Sequence, residues 1–164
     1  MKKLNLLLIV LILLSFGACN PKVDVVAEKD LITNALDEIY NAMQTKDADS
    51  YLKFFDEGGL FCGSDPGEFW DYEAAKKIIN DMMSNSSLNT KYTIDKREIR
   101  VADDGKTAIT LEQYTVEYVS KYIPARIINH FVKKDGNWLI DFMSFGLIPY
   151  NADIGKINGA FQEE

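Results

Sequence analysis

A single histidine, His130, and two cysteines, Cys19 and Cys62, are all this chain has of the side chains that most often bind transition metals or act as nucleophiles. A four-ligand zinc site would have to be completed by several carboxylates, and a serine triad would have to recruit His130 through the fold, so both chemistries are set aside. There is no G-x-S-x-G, no G-x-G-x-x-G and no phosphate-cradling glycine loop. Asp47-Ala48-Asp49-Ser50 begins like a calcium loop, but Tyr51 and Leu52 stand where an oxygen ligand and a glycine are needed. No metal and no cofactor is expected. Basic residues are also scarce, 18 Lys and Arg against 25 Asp and Glu, for a net charge of −7. That balance excludes nucleic acid as a partner, because phosphate contacts need clustered positive charge. Long apolar runs are missing too: Leu4 to Leu14, interrupted at Asn5, is well short of the roughly twenty residues a spanning helix needs.

That short run has its own meaning. Lys2 and Lys3 precede it, and Ser15-Phe16-Gly17-Ala18 closes it with small residues directly against Cys19. A cationic start, an apolar run and small residues at the cut describe a secretory signal. A cysteine in the first position after the cut resembles the lipobox of bacterial lipoproteins, in its looser Bacteroidetes form, which accepts Phe16. The resemblance implies that residues 1–18 are a signal peptide and that Cys19 is lipidated with palmitate-like acyl chains. It also implies a cell-envelope protein attached to the membrane through its N-terminal lipid. Removing Lys2 and Lys3 leaves 16 basic against 25 acidic residues, about −9, so the attachment rests on acyl chains, whose buried methylenes contribute roughly 0.8 kcal/mol each. The absence of an acidic run after Asn20-Pro21-Lys22 points to a periplasm-facing anchor. With Cys19 acylated, Cys62 has no disulfide partner, and Leu60-Phe61-Cys62 reads as a place for a small buried hydrophobe.

The mature chain is long enough for one domain. Residues 19–27 are the lipidated cysteine and tether, 28–150 the folded domain and 151–164 a tail. Ile32, Ala35, Leu36, Ile39, Tyr40 and Met43 recur at helical spacing. Asp47 can cap a short second helix carrying Ala48, Tyr51, Leu52 and Phe55, with Gly58-Gly59 as its stop. Leu60 to Cys62 is a short strand, residues 63–67 form a turn, and Asp71 caps a third helix. Four strands follow, at Lys91–Ala102, Thr107–Val119, Ala125–Lys134 and Trp138–Ile148. The turns between them include Asp103-Asp104-Gly105-Lys106 and Asp135-Gly136-Asn137. Helices gathered ahead of an antiparallel meander predict an α+β fold, three N-terminal helices packed on a curved sheet that leaves a cone-shaped pocket.

Two segments carry a resemblance. Gly63-Ser64-Asp65-Pro66-Gly67-Glu68-Phe69-Trp70 is similar to the "G-[ST]-D-P-x-E" turn and following aromatic found ahead of the third helix in SnoaL-like proteins of the NTF2-like superfamily. Phe131 to Ile140, containing Asp135-Gly136-Asn137-Trp138, resembles the last hairpin of the same family. The resemblance spans about residues 31–148 and implies a cone-shaped α+β barrel, a homodimer formed through the sheet, and an apolar pocket at the wide end. Ser144 stands where relatives often carry a histidine, six residues after the tryptophan, which removes that route to histidine chemistry.

Fold alone does not assign function, so the residues are weighed separately. Arg126 and His130 share one face of a strand with Ile128 and Val132. If that face looks into the cone, the pair could hold a carboxylate or polarise a carbonyl; otherwise His130 belongs to the sheet surface or a dimer interface. Tyr114 and Tyr118 share a face with Glu112 and Val116, as an aromatic ligand wall or as plain core. Trp70 is placed with them as a ligand contact. Asp65 and Glu68 are either paired carboxylates or a turn-holding Asp and an ion-paired Glu. Asp141, opposite in parity to Ser144, is a general base only if it points inward. The function expected is binding of a small apolar or amphipathic ligand, or dimerisation. The alternative is an isomerase, cyclase or dehydratase using Asp141 or Glu68 as base and His130 or Tyr114 to stabilise an oxyanion. For the anchor, metabolic labelling with a fatty-acid analogue is expected to mark the native chain and not Cys19→Ala, and the variant is expected to leave the membrane fraction. A variant that stays membrane-bound removes the lipoprotein reading.

Overall fold

The computed structural model describes residues 23–161. Cys19, the signal segment before it and residues 20–22 of the expected tether lie outside the described residues. Among the described residues no helix is long and apolar enough to cross a membrane.

Helix α1 runs Val25–Thr45. Asp24 starts it, one carboxylate oxygen accepting from the N–H groups of Val26 and Ala27 at 3.1 Å each. This satisfies two of the amide donors that a helix start leaves unpaired, and it places the start within the stretch read as tether. Ile32, Ala35, Leu36, Ile39 and Ala42 form the buried stripe. The short α2, Ala48–Leu52, has Asp47 as its cap as expected, accepting from Ser50 N–H at 3.0 Å. It ends about one turn earlier than the sequence suggested, because Phe55 belongs to strand β1, Phe55–Cys62. Gly58-Gly59, read as a helix stop, instead lies inside that strand. Strand β2, Phe69–Trp70, is a two-residue pairing with β1 that the turn chemistry around it conceals. Helix α3, Tyr72–Ser84, is capped by Asp71, which accepts from Ala74 N–H at 2.9 Å.

The meander follows as β3 Tyr92–Val101, β4 Thr107–Val116, β5 Ser120–Lys134 and β6 Asn137–Leu147. Strand β5 begins ahead of Pro124, earlier than expected, where Ser120 pairs back to Val116. Asp135 and Gly136 have φ of 50° and 84°. Two consecutive positive φ values make the two-residue turn whose twist matches the flanking strands. The tail folds as a 3-10 turn, Asn151–Asp153, and a short helix α4, Ile154–Ala160.

The sheet order is β2-β1-β6-β5-β4-β3. Every pairing is antiparallel except β1 with β6, which is parallel. The chain thus leaves β1, builds the meander outward-in, and lays its last strand back beside the first. Along β4 the buried residues are Ala108, Thr110, Glu112, Tyr114 and Val116, strict alternation of the kind a half-covered sheet requires. The main core joins Ile32, Leu36, Phe61, Phe131 and Ile140 between α1 and the concave face, and a second cluster sits around Tyr114, Val116 and Ala125.

The two glycines of β1 are not equivalent. A methyl on Gly59 would meet the ring of Phe61 at 2.6 Å and the carbonyl oxygens of Asp141 and Asp56 at 3.0 Å, whereas one on Gly58 would meet nothing closer than 3.7 Å. Gly59 is therefore where β1 presses against β6. Gly59→Ala is expected to destabilise by about 1–3 kcal/mol through overpacking, and Gly58→Ala to be neutral or stabilising by about 0.5 kcal/mol through the unfolded chain. Urea unfolding midpoints of the two variants check the contrast.

Candidate functional site

Between α1 and the concave face of the sheet lies a cavity. Helix α1 gives it Leu36, Ile39, Tyr40 and Met43; β4 gives Glu112, Tyr114 and Val116; β5 and β6 give Ile127, Asn129, Ile140 and Met143. Its volume is about 50 Å³, several times the roughly 10–15 Å³ that one water needs on that measure.

Glu112 is fully buried in the cavity wall. One carboxylate oxygen accepts from the Tyr40 hydroxyl at 2.5 Å, and the other accepts from Arg97 Nε at 2.5 Å. Arg97 also donates through Nη1 to Asp37 at 2.7 Å, and its guanidinium lies 5.7 Å from the centre of the Tyr40 ring. Asp37 and Tyr40 are one helical turn apart on α1, so the helix grips the arginine from both sides. Burial pushes the Glu112 carboxyl above its usual range, with Tyr40 and Arg97 pulling the other way. Burial also drives the hydroxyls of Tyr40, Tyr51 and Tyr114 well above the ordinary tyrosine value, and raises Tyr92 to about 12. These tyrosines are neutral at any working pH. Their rings pack edge to face, Tyr40 on Tyr114 at 6.3 Å and Tyr92 on Tyr114 at 6.0 Å between centres.

Deeper on β5, Asn129 is 2% exposed and donates through Nδ2 to Thr110 Oγ1 at 3.1 Å. Its carbonyl oxygen, also buried, has no hydrogen-bond partner among the described residues. Buried polar atoms are seldom left that way.

The residues singled out in the sequence fall in several places. Tyr114 lines the cavity, and Tyr118 sits at its mouth, its hydroxyl 3.8 Å from Met82 Sδ. Trp70 lines a smaller apolar cleft between β1 and α3 with Phe61, Tyr72 and Ala75. Arg126 and His130 lie on the opposite, convex face of β5, since Ala125, Ile127, Asn129 and Phe131 take the inward positions. There Arg126 donates to Gln113 at 3.1 Å, and His130 Nδ1 pairs with Asp141 Oδ1 at 2.6 Å. Asp141 therefore does not face the cavity. A bulge in β6, where His130 pairs with Phe142 and Phe131 with Ile140, leaves Asp141 unpaired and cancels the simple parity that would put it opposite Ser144. Glu68 pairs with no cation among the described residues; it accepts from Asp65 N–H at 2.9 Å, while Asp65 accepts from Gly67 N–H at 2.8 Å. Both serve the turn. Cys62 is free and half-buried, not fully buried as expected, because its position opposite Ser144 is on the convex side.

Tyr40, Arg97 and Asn129 were not among the residues singled out. The available signal was Glu112 itself, a carboxylate at an inward parity position between apolar neighbours, which demands a partner.

A carboxyl with a folded-state value above that of the unfolded chain holds its proton more tightly when folded. Its contribution favours folding at acid pH and is lost as pH rises through that window. Removing Arg97 leaves Glu112 buried without its countercharge. Arg97→Met is therefore expected to cost about 3–5 kcal/mol at neutral pH and markedly less near pH 4, where Glu112 is protonated. Denaturant titrations at both pH values check the sign.

Comparison with known proteins agrees with the architecture. The family model described as a SnoaL-like domain matches residues 32–148. Among solved structures, an NTF2-like protein of unknown function from Pseudomonas putida superposes with a TM-score of 0.67 at 10% identity, covering 80% of this chain and 92% of that one. An NTF2-like protein from Cytophaga hutchinsonii gives 0.59 at 19% identity, covering 73% and 98%. A putative calcium/calmodulin-dependent protein kinase II association domain from Xanthomonas campestris gives 0.57 at 19%, covering 72% and 86%. Among curated proteins nothing matches. The helices packed on an unclosed, mostly antiparallel sheet are the NTF2-like fold, and the chain belongs to the SnoaL-like domain family.

Proposed function

We propose that this domain is a binding module that takes a small, largely apolar ligand into the cavity under α1, and that an acyl chain on Cys19 holds it at the cell envelope, facing the periplasm. The observation that carries the reading is the cavity itself, an aromatic and aliphatic chamber with few polar groups converging on it. The convex face, where Leu60, Ile109 and Ile128 are exposed, suits a homodimer formed through the sheet.

A catalytic reading keeps one specific support. Glu112 is an inward carboxylate with a raised proton affinity beside a hydroxyl donor, the combination that proton abstraction next to a carbonyl uses. An isomerase or dehydratase on this scaffold would work through Glu112 and Tyr114, since Asp141, Glu68 and His130 do not line the cavity. Binding is favoured because both oxygens of Glu112 already accept strong hydrogen bonds from the protein.

Native mass spectrometry of the chain from residue 20 onward, purified without denaturation, tests the binding reading. A co-purifying small molecule, lost when Tyr114→Trp fills the chamber, is the expected result. An empty chain that no compound from an envelope-lipid and metabolite extract stabilises would sink it.

A further inference from the structure

The start of α1 and the mouth of the cavity lie at opposite ends of the domain. At one end the Val23 side chain packs on Gly105, where a methyl would meet it at 2.7 Å. Gly105 belongs to the β3–β4 turn, and the Lys106 carbonyl of that turn accepts from Lys133 N–H at 2.8 Å. Lys133 in turn reaches Glu28 in the first turn of α1. The point where the chain enters the domain is thus fixed beside the β3–β4 and β5–β6 turns. At the other end Val116 pairs with Ser120 across the β4–β5 turn. Tyr118 in that turn is 38% exposed, while the other residues lining the cavity are buried or half-buried.

Helix α1 measures the separation. At a rise of about 1.5 Å per residue, Leu36, its first cavity residue, stands about 16 Å from Val25, and Met43 about 27 Å. The chain from Cys19 to Val23 is four residue steps, which span at most about 14 Å when fully extended. A lipid on Cys19 therefore keeps the Gly105 end close to the bilayer. The mouth can come down to the same surface only if the domain lies on its side.

Charge decides between the two poses. The chain after the cut carries 25 acidic against 16 basic side chains. The negative potential of anionic headgroups attracts polybasic segments and repels a surface of this sign, so charge draws no flank of the domain down. Tyr122, exposed near the mouth, is the kind of side chain that bilayer interfaces favour. The tether, fixed at the far end, works against that contact.

We infer that the anchored domain stands end-on to the bilayer, with the β3–β4 and β5–β6 turns facing the lipid and the cavity mouth facing the aqueous space. This rests on the envelope anchor proposed above and does not depend on what fills the cavity. For the binding reading it names the route. A ligand enters from water, not by lateral passage from the leaflet that holds the domain.

The test uses the processed, lipidated full chain in vesicles of phosphatidylethanolamine and phosphatidylglycerol that contain a lipid with a nitroxide headgroup. In a Cys62→Ser background, a fluorophore is attached through Asp103→Cys in the β3–β4 turn or through Tyr122→Cys beside the mouth, both exposed positions. The acylated Cys19 thiol does not take the label. Nitroxide quenching is short-ranged, so the label at 103 is expected to lose most of its emission and the label at 122 to keep it. Equal loss at both positions, or greater loss at 122, overturns the end-on pose. A flexible Gly-Ser insertion between Lys22 and Val23, long enough to span the domain, is expected to release the label at 103 from quenching. A contrast that survives the insertion overturns the tether as its cause. A chain whose mass shows no acyl group on Cys19, and which does not join the vesicles, fails the anchor reading itself, and the end-on pose falls with it.

Discussion

Glu112 is the hinge of the structure. An ionised carboxylate in a core costs several kcal/mol of desolvation unless it is paired and hydrogen-bonded. Here the partners come from two other elements, Arg97 on β3 and Tyr40 on α1. The same arginine reaches Asp37 on α1. The helix is therefore tied to the two strands farthest from β1 by charge and hydrogen bonds. To the strands nearer β1 it is tied by the apolar stripe from Ile32 to Ala42. Polar attachment on one side and apolar packing on the other hold α1 over the concave face while leaving space between them. A uniformly apolar seam would favour filling that space.

The N-terminal end of α1 has a second latch. Glu28 accepts from Lys133 Nζ at 2.5 and 2.7 Å and from Trp138 Nε1 at 2.9 Å. The Lys133 hydrogen bond is the main influence holding the Glu28 carboxyl below its usual range. Both residues flank the Asp135-Gly136 turn, so the β5–β6 hairpin is clamped to the first turn of the helix. The two latches differ in what they enclose. Glu28 and its partners are partly exposed and act mainly on orientation, since surface pairs contribute little on their own. Glu112 is sealed, so its geometry governs both stability and the shape of the cavity wall.

What could be read from the sequence follows from which signals are local. The caps at Asp47 and Asp71, the Asp135-Gly136 turn and the alternation along β4 are decided by neighbours in the chain, and each was legible. Gly58-Gly59 was not. Two glycines after a helical pattern look like a stop, and only the backbone of β6, more than eighty residues later, shows that Gly59 is small because another strand passes close to it. The site divides the same way. Parity put Tyr114, Tyr118 and Glu112 on one face, but whether the Arg126 and His130 face looked inward depended on which side α1 covers. The bulge at Asp141 is likewise a property of two strands together. Asn129 carried no local mark at all, since an asparagine inside a strand is informative only once its partners are known.

The two readings of the cavity turn on the same carboxylate, and its bonding weighs between them. A general base has to accept a proton from its substrate and release it again, so it needs a lone pair directed at the reacting carbon and freedom from a tight countercharge. Arg97 supplies that countercharge at hydrogen-bond distance, and it lowers the proton affinity that burial raises. Tyr40 occupies the other oxygen, and its own hydroxyl is held neutral by burial and by the adjacent carboxylate. To act as a base, Glu112 would have to give up one of these bonds in the step that needs it, and that loss would weaken the attachment of α1.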